Sequence, residues 1–303
     1  WTPASDIVSA LEPVAPPTQK ALFGYGQTGS HSSLTNLVSS SGVVASDTTG
    51  VGTARSTLAA ASYGGDKAIF GYGNSGSASS LTNLVNNSGV VAADVTGVGT
   101  ARYGLAAAGY GGDKAIFGFG WTGSGSRIAT TNLVSNSGVV ATDTAGVGTG
   151  REALAAASYG GDKAIFAFGA PSGYTNVSNL VSNLGVVATD TAGVGTARAT
   201  AATGYGTDKA IFAYGYNGGN LSLSNLVSNL GVVASDTTGV GTSRRQIAAA
   251  GYGGDKALFG YGYVSGKVSM TNLVNNSGVV AADVTGVGTA RYDLAAAGYS
   301  ISA

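Results

Sequence analysis

The chain has no cysteine, one histidine, one methionine and only five prolines among its 303 residues. Without cysteine there is no disulfide framework and no thiolate metal site, and the redox compartment leaves no mark. The single histidine, His31, excludes a His-based metal cluster and ties any Ser-His-Asp triad to its own surroundings. It stands in the Ser/Gly-rich stretch QTGSHSS and is expected at the surface. Charge is scarce too: 15 basic and 15 acidic residues cancel. That balance argues against nucleic acid, whose phosphates need a basic face, and against attraction to an anionic membrane. No apolar run approaches the ~20 residues of a spanning helix. The N-terminal WTPASDIVSALEPVAPPTQ lacks the basic-then-apolar order of a signal peptide. With no Asp-x-Asp-x-Asp-Gly loop for calcium either, no metal or cofactor is expected.

What the chain has in abundance is glycine, 51 residues of it, and repetition. Gly-Val-Val begins at Gly42, Gly89, Gly138, Gly185, Gly231 and Gly278, at intervals of 46 to 49 residues. Asn-Leu-Val keeps the same spacing, and Lys-Ala-(Ile/Leu)-Phe recurs six times from Lys20 to Lys256. Residues 82–110 and 271–299 differ only at Gly104 versus Asp293. Each unit divides into four short β-prone pieces, exemplified by LAAAGYG, KAIFGYG, TNLVSN and GVVATDT, with Gly-Asp acting as a two-residue hairpin turn between the first two. Four strands in about 45 residues is the arithmetic of a propeller blade.

The first unit lacks its Ala-rich strand, and the last has one to spare at Leu294–Tyr299. The expected fold is therefore all-β: a six-bladed β-propeller of four antiparallel strands per blade. Its C-terminal strand, about 292–299, closes the first blade as the innermost strand and removes the exposed edges. Residues 18–303 form this single domain, and residues 1–17 form an extension or linker in which SDIVSALEP is a candidate short helix capped by Ser5. Ala59, Ala60 and Ala61 and their equivalents suit the crowded axis, with Ile69, Phe70 and Tyr72 packing between blades one strand outward. Near-identical units also predict high thermal stability and a tendency to swap blades.

The order Arg102, Leu105–Tyr110, Gly112–Lys114, Ile116–Gly120 resembles a kelch repeat, and the likeness runs through all six units over residues 20–299. Two features depart from that family. An aromatic interrupts the glycine pair (Gly118-Phe119-Gly120), and the Tyr and Trp of the outer strands are missing. Near-perfect tandem repeats of this kind are also similar to those of phage and metagenomic proteins, which implies a virion or extracellular setting. Copper oxidases on the kelch plan use a Cys–Tyr pair and histidines, and this chain does not have that set.

GYGGDKALFGYG (251–262) invites a phosphate-loop reading, but Lys256 is followed by a strand sequence and the element recurs around the ring. GVGTAR invites a dinucleotide reading and fails for the same reason, and for want of its third glycine in most copies. Six arginines (Arg55, Arg102, Arg151, Arg198, Arg244, Arg291) either ring an anion or pair with Asp47, Asp94, Asp143, Asp190, Asp236 and Asp283. Their equal numbers favour structural pairing. A sialidase-type cluster at Arg244, Arg245, Tyr292 and Asp293 is the enzymatic alternative on fold analogy.

Variation concentrates in the loops after each second strand and in the two residues after each arginine, beside the expected channel mouth. Strand alternation puts all of these on one face. The candidate ligand-contacting residues there are Tyr103, Trp121, Arg127, Glu152, Tyr174, Tyr216, Arg245, Tyr263, Tyr292 and Asp293. The expected function is a non-enzymatic, monomeric binding or structural module meeting a protein or glycan, with a lectin or glycosidase as the alternative.

Overall fold

The structure is a computed structural model that describes residues 19–300. The expected extension at 1–17, with its candidate helix, lies outside the described residues. Within them the chain is all-β, a β-propeller-like repeated architecture of six antiparallel three-stranded sheets. The first sheet is β18 (Ala295–Tyr299), β1 (Lys20–Gly24) and β2 (Thr35–Val38). The second is β3 (Ala59–Tyr63), β4 (Lys67–Gly71) and β5 (Thr82–Val85); the third is β6 (Ala106–Tyr110), β7 (Lys114–Gly118) and β8 (Thr131–Val134). The fourth is β9 (Ala155–Tyr159), β10 (Lys163–Ala167) and β11 (Ser178–Val181). The fifth is β12 (Ala199–Tyr205), β13 (Lys209–Tyr216) and β14 (Asn220–Val227), and the sixth is β15 (Ala248–Tyr252), β16 (Lys256–Tyr263) and β17 (Lys267–Val274).

The spare C-terminal strand does join the first sheet: β18 pairs with β1 from Lys20↔Tyr299 to Gly24↔Ala295. The Ala-rich strands pack on one another in the order β18, β3, β6, β9, β12, β15 and back to β18. Alanine permits this approach, whereas the middle strands are apolar on both faces because each lies between two neighbouring sheets. Ala21, Leu22 and Phe23 and their equivalents are completely buried. One aromatic pair spans each junction, from Tyr25–Phe70 (5.1 Å) round to Tyr261–Phe23 (5.0 Å).

The interrupting aromatic has a structural reason. Tyr25, Tyr72, Phe119, Phe168, Tyr214 and Tyr261 all adopt the left-handed conformation, with φ between 61° and 64°. That kink ends or bulges the strand and frees the next glycine N–H to reach the following sheet, as in Gly26 N to Arg55 O at 2.9 Å. Gly26 itself has φ 103°, and a Cβ there would lie 2.8 Å from Tyr292 O, so only glycine fits. On the opposite face the turns bond sheet to sheet in the same manner, from Gly64 N to Asp113 O (2.7 Å) round to Ser300 N to Asp66 O (2.8 Å).

Two expectations are corrected. The hairpin turn has three residues, Gly64-Gly65-Asp66, because Tyr63 pairs with Lys67; both glycines have positive φ. The fourth strand of each unit is not a regular strand. Its segment meets the third strand at two isolated bridges, Val38↔Val44 and Thr35↔Thr48 in the first sheet. Those two pairs are out of register by one residue, so an extra residue bulges the outer segment. The gap is filled by a side chain: Asn36 Nδ2 donates to Ala45 O at 3.0 Å. Only the second valine of Gly-Val-Val turns inward; Val43 remains 65% exposed while Val44 is buried.

Candidate functional site

The six arginines are fully buried, which answers whether they capture an anion. In the third sheet, Arg102 donates from Nη2 to Asn132 Oδ1 (2.7 Å), from Nη1 to Thr100 O (2.9 Å) and from Nε to Phe119 O (2.8 Å). Its guanidinium lies 4.2 Å from the ring centroid of Tyr72 in the preceding sheet. Asn132 then donates to Asp143 Oδ1 (2.9 Å), and Asp143 accepts from Thr100 Oγ1 (2.6 Å). The expected Arg–Asp pairing thus runs mainly through an asparagine. Direct contact is 3.3 Å for Arg55–Asp94 and 3.8 Å in three other sheets. Desolvation pushes the Asp47 carboxyl up, but hydrogen bonds from Thr289 and Asn36 and the Arg291 charge outweigh it and hold it below the usual carboxylate range. Burial pulls Arg151 and Arg198 down to about 10, leaving them charged at neutral pH. Arg244 sits inside this network with no exposed surface, so a sialidase-type cluster that includes it does not form.

The variable positions are organised by a feature hidden in the sequence. The residue after each buried arginine pairs with the residue after the aromatic-Gly pair that ends each second strand, seventeen or eighteen positions on within a unit. The pairs are Tyr292↔Gln27, Ser56↔Asn74, Tyr103↔Trp121, Glu152↔Ala170, Ala199↔Tyr216 and Arg245↔Tyr263. Every sheet therefore carries one antiparallel bridge of changing composition on the loop face. A fixed offset between two varied columns of the repeat is the signal that would have found Gln27, Ser56, Asn74, Ala170 and Ala199.

Two clusters result. In the first, Tyr103 and Trp121 pack edge-on at 5.2 Å, Arg127 lies 5.8 Å from the Trp121 ring, and Arg127 Nη2 meets Glu152 Oε1 at 2.6 Å. In the second, Arg245 lies between Tyr216 (4.6 Å) and Tyr263 (4.9 Å), with Tyr174 edge-on to Tyr216 at 6.1 Å and Tyr292 edge-on to Tyr263 at 5.5 Å. Asp293 accepts from Gln246 Nε2 at 2.9 Å. His31, in the neighbouring loop, is half-buried.

The channel mouth expected beside these residues is not open. Thr57, Gly104, Ala153, Gln246 and Asp293 all have φ between 50° and 63°. Their backbones join in series across it: Ala153 N to Gly104 O, Gly104 N to Thr57 O, Thr57 N to Asp293 O and Asp293 N to Gln246 O, at 2.8–3.1 Å. Thr200 leaves the series, because its hydroxyl bonds Ala213 O within its own sheet. Below this ring the axis widens into a funnel of about 370 Å³, lined from the second alanine of each inner strand, such as Ala60 and Ala107, to the turns. Its mouth is on the face of the Gly-Asp-Lys turns.

Asp293 is only half-buried, with its bond to Gln246 on the exposed side, yet desolvation by its crowding neighbours pushes its carboxyl up to about 7, against the Gln246 hydrogen bond and the Arg245 charge. Between the ordinary aspartate value of 3.8 and that figure, the folded protein keeps a proton that the unfolded chain has released. Stability from this residue therefore declines as pH rises through that window and levels off above it. Asp293→Asn is expected to melt well above the parent at about pH 8.5 and close to it at about pH 4. An equal shift at both values in a calorimetric scan would contradict a desolvated carboxyl.

In comparisons with known proteins, no protein-family model matches the chain and no curated protein matches it.

Proposed function

We propose that this protein is a non-enzymatic six-bladed β-propeller, kelch-like in its repeat, with the bulged outer segment as the fourth strand of each blade. Its role is a rigid binding or structural module that presents the loop face to a partner, in the setting of a viral (phage) surface protein. One observation carries this reading: the six bridge pairs hold one backbone position and one geometry while their side chains range from Ser–Asn to Tyr–Trp and Arg–Tyr. A constant frame under a varied, aromatic-bearing face is the layout of a recognition surface. Both described ends, Gln19 and Ser300, bond within the turn face, which leaves the loop face facing away from them.

Carbohydrate is the second reading, because Trp121, Tyr174, Tyr216 and Tyr263 are partly exposed on that face. Glycosidase chemistry is less well supported, since a carboxylate pair flanking one bond is required. Glu152 is held by Arg127, and Asp293 belongs to the first sheet, three sheets away. The test is a glycan array probed with the parent and with Trp121→Ala and Tyr216→Ala, alongside hydrolysis of chromogenic glycosides. Binding lost in either variant supports the reading. Glycoside hydrolysis above background, abolished by Asp293→Asn, would replace it with an enzyme.

A further inference from the structure

The two clusters on the loop face differ in one decisive respect. Arg127 is neutralised by Glu152, both in contact and in charge. Arg245 has no carboxylate within salt-bridge distance among the described residues; its single side-chain hydrogen bond runs from Nε to Gln246 Oε1 at 3.3 Å. Its Nη groups, and the hydroxyls of Tyr174, Tyr216, Tyr263 and Tyr292, find no partner among the described residues and are not buried. The result is an arc of exposed hydrogen-bonding groups around a guanidinium with no carboxylate at salt-bridge distance, crossing four consecutive sheets from the fourth to the first.

The arc is built rather than incidental. Contact with the rings of Tyr216 and Tyr263 holds the guanidinium from two sheets. In the fifth and sixth sheets the second and third strands extend into the loop face, where Tyr216 pairs with Asn220 and Tyr263 with Lys267. Asn220 Nδ2 donates to Val264 O at 3.0 Å, joining the two extended hairpins, and Lys267 Nζ donates to Thr28 O in the first sheet. The loops of the fifth, sixth and first sheets are thus laced together, which lowers the entropy cost of binding.

A planar guanidinium with a free edge matches a carboxylate in bidentate geometry. Tyrosines spaced across successive sheets offer aromatic rings and hydroxyls to the C–H groups and hydroxyls of a chain of sugars. Two cations on this face without a carboxylate partner among the described residues, Arg245 and Lys267, the second already bonded to Thr28 O, are too few for a nucleic-acid backbone. We infer that the arc Tyr174–Tyr216–Arg245–Tyr263–Tyr292 binds a carboxylate-bearing saccharide chain, with Arg245 on the carboxylate. This rests on the loop face being a binding surface.

The probes are oligosaccharides of polygalacturonate, alginate and hyaluronan, titrated calorimetrically into the intact protein, with the methyl esters of the same oligosaccharides and poly-glutamate as controls. At least one acidic oligosaccharide is expected to bind. Esterification and Arg245→Ala are each expected to weaken it at least about tenfold, Arg245→Lys is expected not to restore it, and the turn-face variant Lys114→Ala is expected to leave it unchanged. Failure of all three acids to bind, equal binding of acid and ester, or equal binding of poly-glutamate would overturn the inference. If Trp121→Ala removes glycan binding while Arg245→Ala does not, the loop-face reading survives and the arc is wrong. If neither matters, both fail.

Discussion

Deletion of residues 292–303 is expected to abolish the cooperative thermal transition. The cut removes β18, and with it the partner of β1 along five residue pairs and the inner-strand contacts to β3 and β15. Leu294 and Tyr299, both buried, contribute about 2 kcal/mol each from apolar burial alone. β1, whose Ala21, Leu22 and Phe23 have no exposed surface, would become an open apolar edge. With the lost ladder and inner-strand contacts added, the loss reaches at least the lower end of the roughly 5–15 kcal/mol that stabilises an ordinary domain. Circular-dichroism melts and size-exclusion chromatography are the readouts. A truncated protein that stays soluble and keeps the parent midpoint would refute closure by the C-terminal strand. The junction carries a further lock, since Arg291 Nη2 donates to Asn36 Oδ1 at 2.6 Å and Thr289 Oγ1 to Asp47 Oδ2 at 2.6 Å.

Asn132→Leu is expected to cost about 3 kcal/mol, although it replaces a polar residue with an apolar one of similar size in a buried place. Asn132 is completely buried and joins four groups: Arg102 Nη2 on its oxygen, and Ala141 O and Asp143 on its amide, with Thr100 beyond. Without it the charged Arg102 keeps no acceptor for Nη2, and water cannot reach the site. Asn136→Leu is the control: Asn136 is exposed, bonds Asp113 in the turn face at 3.0 Å, and should change stability by less than about 0.5 kcal/mol. Chemical denaturation of the two variants decides the matter. Equal small effects would show that the arginine finds another partner and that the asparagine is not the organiser of the sheet.

These two experiments also mark how far the sequence could be read. The closure of the first sheet was legible because Leu294–Tyr299 is the sixth copy of an element that the first unit lacks and that has no strand of its own unit to follow it; a strand count needs no coordinates. The role of Asn132 was not legible. In TNLV an asparagine looks like a polar residue on an alternating strand, and nothing local distinguishes a solvated amide from one that fills a bulge. The bulge exists because Val38↔Val44 and Thr35↔Thr48 differ by one in register, a relation between two strands that neither strand encodes alone. The candidate site shows the same division. All ten residues named from the varied loops lie on one face, yet Arg127 and Arg245 read alike in sequence. Only their neighbours separate them, Glu152 from the next sheet neutralising the first and two tyrosines from different sheets flanking the second.

Gly104 and Asp293 make the point with a single substitution. They are the one difference between two otherwise identical stretches of 29 residues, and both occupy the ring across the axis with the same left-handed backbone. Periodicity, the three inner strands of each unit and the placement of variation were determined by the sequence alone, because each follows from local preference repeated at a fixed interval. Which end of the axis is shut, which arginine is neutralised and which carboxyl is desolvated were decided by tertiary structure. Those properties depend on what the adjoining sheet brings within a few ångströms, and six nearly equal units can be told apart only by their neighbours.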